Sequence, residues 1–251
     1  MKFSVLTKVY ILIIFIGLYL FSCNRHIIQP IQEDNQIQKI IALSKSSCFG
    51  KCAVYTLTVY KDGLVILQGI ANLDKIGVYH STLNVVQLDQ LTKKIYSLNW
   101  KSYKSKYLRN IPDLPVTTLK IFNNTDSSQI EIQSNSSLPQ ELEEIHKDLS
   151  LLIENNAWLL ALKDKEVNSG DLIKNQIQID MDSTQSVAHL EQLFKPYEFK
   201  MTKRISEYMN FYLFEFNTAK IAPYEMVVLA RRVKGIRLVT FNKKLNQRDE
   251  F

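Results

Sequence analysis

Between Ala53 and Ile70 the chain reads AVYTLTVYKDGLVILQGI. Tyr55, Leu57 and Val59 fall on one face of the first half, and Val54, Thr56, Thr58 and Tyr60 on the other. A period of two, carried by β-branched and aromatic residues, is the pattern of a strand. Asp62-Gly63 then separates this run from a second apolar one. An Asp-Gly pair so placed predicts a hairpin whose two turn residues both take positive φ. The hairpin commits this region to an antiparallel sheet.

Further segments extend that sheet. KIIALSK precedes the hairpin and GVYHSTL follows it. VTTLKIF and SQIEIQS bracket Asn-Asn-Thr-Asp and read as a second hairpin. Two stretches change to helical spacing. Leu88, Leu91, Ile95 and Leu98 step by three and four after Asn84, with Gln87 at the capping-box position. Leu142, Ile145, Leu149 and Leu152 form another stripe, opened by Ser137 with Gln140. Residues 38–156 therefore read as an α+β domain: an antiparallel sheet with both helices on one face. Residues 157–170 read as a linker or a continuation of the last helix, broken at Asn168-Ser169-Gly170.

A second, smaller module occupies residues 171–251. NQIQIDM is a strand. Asp182 or Ser183 caps a helix that buries Val187, Leu190, Leu193 and Phe194. YEFKMTKRI and MNFYLFEFN are two more strands. Pro223 opens a helix with Met226, Val227, Ala230 and Val233 on one stripe, Gly235 stops it, and IRLVTFN closes the module. The order β-α-β-β-α-β is that of the ferredoxin-like split βαβ.

The amino terminus carries Lys2 and Lys8 ahead of the apolar run VYILIIFIGLYLF. Roughly 13 residues is short of the ~20 that span a bilayer, but suits the apolar part of a signal peptide. The run ends in Leu20-Phe21-Ser22-Cys23, which resembles a bacterial lipobox. Residues 1–22 are expected to be removed and Cys23 to be lipidated, with an ordinary cleaved signal peptide or a short anchor as the other readings. Residues 23–37 then form a polar tether. Asn24 is not the aspartate that retains lipoproteins in the inner membrane, and no acidic run follows Cys23. The expected address is the outer membrane, facing the periplasm.

That address governs the reading of SSCFGKC. A periplasm is oxidising, so the remaining thiols, Cys48 and Cys52, are read first as a disulfide. A bridge over this spacing forbids extended backbone and demands a tight turn, for which Gly50 supplies positive φ. A redox pair, half of a metal site and free thiols are the alternatives. Redox pairs have one residue fewer between the cysteines and sit at a helix start. Zinc wants four ligands, and His80 is the only histidine plausibly near.

The stretch CFGKCAVYTLTVYKDG resembles the signature of bacterial proteins grouped as domain of unknown function 6438. The likeness continues through Gly69, through Gly77 and Tyr79, and through Pro112-Asp113-Leu114-Pro115. Ala53 stands where that family usually has proline. The resemblance implies exported, often lipid-anchored proteins of Bacteroidetes-type bacteria and no known activity. The stretch FEFNTAKIAPYEMVVLARRVKGIRLVTFNKKLNQRD resembles the propeptide module of subtilisin-like serine proteases, by pattern more than by motif. That module chaperones its protease and inhibits it with its C-terminal tail. The resemblance implies an inhibitory tail over residues 242–251, with Asn242, Leu245 and Phe251 in it, although no protease domain follows here.

Composition narrows the function classes. The net charge is +6, and loss of Lys2 and Lys8 lowers that excess by two. So mild an excess on an exported chain does not point to nucleic acid. In KSYKSKYLR the basic residues and tyrosines read as a solvated loop with its rings turned inward. The long loop holding Tyr103, Tyr107 and Asp113 is either a binding rim or simple packing. His26, His80, His146 and His189 lie in no nucleophile or metal motif, and Glu141, Glu143 and Glu144 read as a solvated helix face. No catalytic residue, metal or cofactor is expected. Two functions remain: a lipid-anchored envelope binding or scaffolding module, partnered by the membrane and an envelope protein, or an inhibitor of a subtilisin-like protease.

Overall fold

A computed structural model describes residues 37–123 and 129–244. The expected leader, Cys23 and the tether up to residue 36 lie outside those residues, as do Leu245 and Phe251, whereas Ile37, expected at the tether's end, is buried in the core. The chain is α+β, with two sheets.

The larger sheet has eight strands in the order β5-β7-β6-β1-β2-β3-β4-β8. In chain order these are β1 (Lys39–Lys45), β2 (Val54–Tyr60), β3 (Leu64–Ala71), β4 (Gly77–Thr82), β5 (Lys106–Tyr107), β6 (Thr117–Phe122), β7 (Gln129–Ser134) and β8 (Leu159–Leu162). All pairings are antiparallel except β5 with β7. Helices α1 (Val85–Ser97) and α2 (Gln140–Asn155) cover one face. The α1 capping box forms as the sequence implies: Gln87 N donates to Asn84 Oδ1 and Asn84 N to Gln87 Oε1. Leu57, Val59, Val65 and Leu67 pack there against Leu91, Ile95, Leu142 and Leu149.

The hairpin forms, but by a different turn from the one expected. Gly63 has φ +85°, whereas Asp62 is not among the positive-φ residues. Gly63 N donates to Tyr60 O at 3.0 Å, so the loop is three residues ending in a left-handed glycine. Asp62 is thereby released to accept from Leu64 N at 3.1 Å and to reach across to the second module.

Two further expectations change. Pro139, not Ser137, caps α2: its carbonyl accepts from Leu142 N and Glu143 N at 3.1 and 3.0 Å. Residues 159–162 do not continue that helix but pair with β4, Val78 opposite Leu162 and His80 opposite Leu159. The presumed linker is thus the edge of the large sheet, followed by the one-turn helix α3 (Asp164–Val167).

The smaller sheet comprises β9 (Leu172–Met181), β10 (Lys200–Arg204), β11 (Phe211–Glu215) and β12 (Ile236–Lys243), with α4 (Val187–Leu193) and α5 (Pro223–Arg231) as its helices. Its order β10-β11-β9-β12 is all antiparallel. Read from the β12 edge, this is fourth-first-third-second within the module, the ferredoxin-like arrangement. Ser186 caps α4 by accepting from His189 N at 3.1 Å, displacing the expected Asp182 or Ser183. Asp182 instead closes the preceding turn on Thr184 N.

The stripe foreseen on α5 was too narrow. Every residue from Tyr224 to Ala230 is buried. One side meets Ile177, Ile179, Phe214 and Val239 of the small sheet; the other meets the uncovered face of the large sheet through Tyr60, Leu64, Ile66 and Val78. The layers run helices, large sheet, helices, small sheet. Each large-sheet residue so covered contributes about 1.5–3 kcal/mol, and none of that is available to residues 38–156 alone.

Polar groups fasten the same junction. Lys39 Nζ meets Glu225 at 2.6 Å and Arg232 Nη2 meets Asp62 Oδ2 at 2.5 Å. Tyr197 Oη donates to Ile37 O at 2.7 Å. Burial, with Glu225 close by, pushes the Tyr60 and Tyr224 phenols well above their ordinary range.

Candidate functional site: a stapled apolar tip

At the end of the large sheet where β1 turns into β2, the chain must cross from Lys45 to Val54. Cys48 and Cys52 are disulfide-bonded, with Cα atoms 5.8 Å apart. That lies inside the span a disulfide needs. Gly50 has φ +132° and open space where a Cβ would stand, so its role is conformational rather than steric. The ring holds only Phe49, Gly50 and Lys51 between its cysteines. So short a loop cannot fold over its own side chains, and Phe49 is 89% exposed.

A second loop is held against the first. Phe49 N donates to Asp113 O at 3.2 Å, Ser46 N to Val116 O at 2.9 Å, and Val116 N to Ser46 Oγ at 2.9 Å. Asn135 clamps the same loop farther back: its Oδ1 accepts from Arg109 N at 2.6 Å, and its Nδ2 donates to Arg109 O at 3.1 Å. On the far side of the ring, Asn72 Nδ2 donates to Cys52 O at 2.9 Å. Leu108, Ile111 and Leu114 of the pinned loop are exposed, as is Phe49. Lys51 and Arg109 are exposed beside them. The result is an apolar tip with Lys51, Arg109 and Asp113 as its exposed charges, fixed by a disulfide and by backbone hydrogen bonds.

Of the residues expected to form either a rim or simple packing, Tyr103 and Tyr107 pack on the core and Asp113 is exposed. Tyr103 is half-buried, its ring 6.2 Å from that of Trp100, and Tyr107 packs on the same core while its hydroxyl accepts from Lys104 N at 3.2 Å. Only Asp113 belongs to the tip, where its backbone, at φ +62°, does the holding. Phe49 was missed. Its signal was legible: an aromatic residue inside a ring too small to bury it.

Other concave and ionisable features lie away from the tip's two loops. A cleft of about 280 Å³ opens between β1, β2 and the start of α5, lined by Lys39, Thr56, Lys120 and Glu225. Its ammonium groups are taken, Lys39 by Glu225, Lys120 by Glu131 at 3.1 Å and Lys220 by Glu198 at 2.8 Å. A groove of about 590 Å³ runs between α1 and α2. Burial holds the imidazole of His146 below its usual range. Burial and then the Arg232 charge hold that of His80 at about 4. Nδ1 of His189 shares a hydrogen bond with Gln185 at 2.7 Å. Among the described residues no group of three or more His, Cys, Asp or Glu side chains could hold a metal ion. Among them, too, no helix is long and apolar enough to cross a membrane.

Asn242, expected in an inhibitory tail, is part of β12. It pairs with Ile173 and exchanges side-chain hydrogen bonds with Gln176 and Gln178. Lys244 N still donates to Asp171 O at 2.8 Å. Residues 242 and 243 are thus the end of β12, and the rest of the expected tail, residues 245–251, lies outside the described residues.

With both loops of the tip in place, the relationship of their sequence becomes informative. Residues 39–153 match the family described as Domain of unknown function (DUF6438). The matched stretch runs from β1 to the last turn of α2. It supplies the staple, the Asp62-Gly63 turn and the Pro112–Pro115 loop, so the DUF6438 module contains the whole tip. It stops short of β8 and of the second module, which cover its remaining edge and face. No curated protein matches the chain.

Proposed function

We propose that this chain is a lipid-anchored binding module of the cell envelope, non-enzymatic, held by Cys23 on the periplasmic side of the outer membrane and docking a protein partner through the stapled tip. The observation that carries the reading is Phe49, 89% exposed on a loop whose backbone is fixed at both ends. Phe49 does not stand alone, because Leu108, Ile111 and Leu114 of the pinned loop are exposed too, and aromatic anchors dominate protein interfaces. Rigidity adds to this, because a loop already ordered loses little entropy on binding. The disulfide supports an oxidising compartment, and the lipobox-like Leu20-Phe21-Ser22-Cys23 supports the anchor. Strand β1 separates the two ends of the DUF6438 module. At about 3.4 Å per residue, the tip stands roughly 20 Å from Lys39, near where a tether would join.

The test is a photo-crosslinking amino acid at position 49 in the intact chain, in cells. The reading expects one discrete adduct, weakened when Ile111 becomes Asp and when Cys48 and Cys52 both become Ser. A probe at exposed Val85 on α1 should not give it. Removing the staple should also cost about 2 kcal/mol of stability. No adduct at 49, or the same adduct from 85, overturns the docking role. A Cys23→Ala variant that still incorporates labelled fatty acid overturns the anchor.

A second reading, a subtilisin-type protease inhibitor, draws on the strand order of the small sheet. It requires stoichiometric inhibition that is lost on deleting residues 245–251; digestion without inhibition removes it.

A further inference from the structure

The second module carries a surface that the tip does not use. Strand β10 is the outer strand of its sheet, and all five of its residues, Lys200 to Arg204, are exposed. The turn that follows, residues 205–210, exposes Ile205, Tyr208 and Met209, with Tyr208 at 96%. Met201 adds a fourth apolar side chain.

Lysines on an edge strand have a common purpose, which is to deter pairing with another sheet. That accounts for Lys200 and Lys203. It does not account for a tyrosine and a methionine displayed on the adjoining turn. Three cations, Lys200, Lys203 and Arg204, face a single acidic residue, Glu207, within residues 200–209. Of the neighbouring carboxylates, Glu215 lies opposite Lys200 and accepts from Gln176 Nε2, Glu198 is engaged by Lys220 at 2.8 Å, and Glu191 accepts from Met201 N at 2.9 Å. Arg204 stays on the surface over the Tyr212 ring, 5.7 Å from its centroid.

Position in the fold selects the occupant. Tyr197, three residues before β10, donates its hydroxyl to Ile37 O at 2.7 Å. The start of the described chain is therefore tied to a residue three positions before β10. Residues 24–36 cannot extend beyond roughly 45 Å at ~3.3–3.6 Å each, so a membrane holding Cys23 lies within reach of β10. Cations interleaved with tyrosine, methionine and isoleucine suit the boundary of an anionic bilayer, where ammonium and guanidinium groups meet phosphates and the apolar groups enter the headgroup layer.

We infer that β10 and the turn after it form a contact for anionic phospholipid headgroups, which holds the protein in a fixed attitude on the bilayer. The inference takes its geometry from the anchor reading, but its test needs no anchor. The chain from Asn24 to Phe251 keeps every described residue and is mixed with vesicles of phosphatidylglycerol and phosphatidylcholine, or of phosphatidylcholine alone, and sedimented. The expected result is binding to the anionic vesicles only, weakened by salt. Lys200→Glu, Lys203→Glu and Arg204→Glu together should weaken it by at least about tenfold, and Tyr208→Ser with Met209→Ser should weaken it at unchanged charge. These side chains are exposed, so circular dichroism of both variants should match the parent. Equal binding to both vesicle types, no binding to either, or an unaffected charge variant overturns the proposal. So does binding lost only when free phosphate competes at equal phosphate concentration, which would assign a soluble phosphate site instead. A Cys23 that proves unlipidated leaves this outcome readable, because the vesicles report the surface alone.

Discussion

Asp62→Ala should lower the stability of the whole chain by about 3–5 kcal/mol, far more than a hairpin turn residue normally costs. The variant leaves the turn's left-handed glycine in place. What it removes is the carboxylate facing Arg232, a residue with 2% of its side chain exposed. Arg232 cannot shed its charge, so the desolvation of the guanidinium would no longer be offset by this partner. It also removes the acceptor of Leu64 N. Replacing both partners by apolar residues, Asp62→Leu with Arg232→Met, should recover most of the loss, since buried ion pairs are often no better than packed apolar groups. Urea midpoints of the three proteins measure this. A loss below about 1 kcal/mol, the range of an exposed pair, would mean that the junction is wetter than its packing implies.

Acid should weaken the fold through His80. In the folded chain its imidazole titrates at about 4, lowered first by burial and then by Arg232. In the unfolded chain it titrates near 6.5. Between those values the unfolded chain takes up a proton that the folded chain refuses. Stability is therefore complete above pH ~6.5 and falls as pH drops toward ~4, by about 3 kcal/mol in all. Lys39, Glu225, Asp62 and Arg232 are the charged groups of this junction. Asp171, Asp182 and Glu198, whose hydrogen bonds hold their carboxyls below the usual range, add losses of their own at lower pH. The comparison with His80→Gln isolates the histidine: wild type minus variant should slope between about pH 6.5 and 4 and be flat above. Parallel curves would show that His80 reaches solvent.

The elements with strict periodicity were legible in the sequence, and those that depend on a distant partner were not. Tyr55, Leu57 and Val59 announce a strand, and Asn84 with Gln87 announces the start of a helix, because each signal is local. The two faces of β2 gave no hint that both would be buried. Thr58 and Tyr60 lie on the face opposite the helices, yet both are buried, Tyr60 beneath the second module. Leu159–Leu162 looked like the end of a helix because LLAL has no alternation; its pairing with β4 is decided 80 residues away in sequence. Asp62 was read as turn chemistry alone, since its partner Arg232 lies 170 residues on. In the candidate site, the cysteine spacing and Gly50 were enough to place a staple. What that staple displays became visible only when the loop around Pro112 and Asp113 was found beside it.

Both the proposed tip and the proposed bilayer contact need one rigid body between them, and that rests on α5 being shared by the two sheets. Urea unfolding of the chain from Asn24 tests this most directly. The two tryptophans, Trp100 and Trp158, both report the first core, while hydrogen exchange of β9 amides reports the second module. A shared core predicts one transition, with the fluorescence midpoint and the free energy of β9 exchange in agreement. Two separated transitions, with β9 exchanging while the tryptophans remain native, would contradict it and return the modules to independent units joined by a strand.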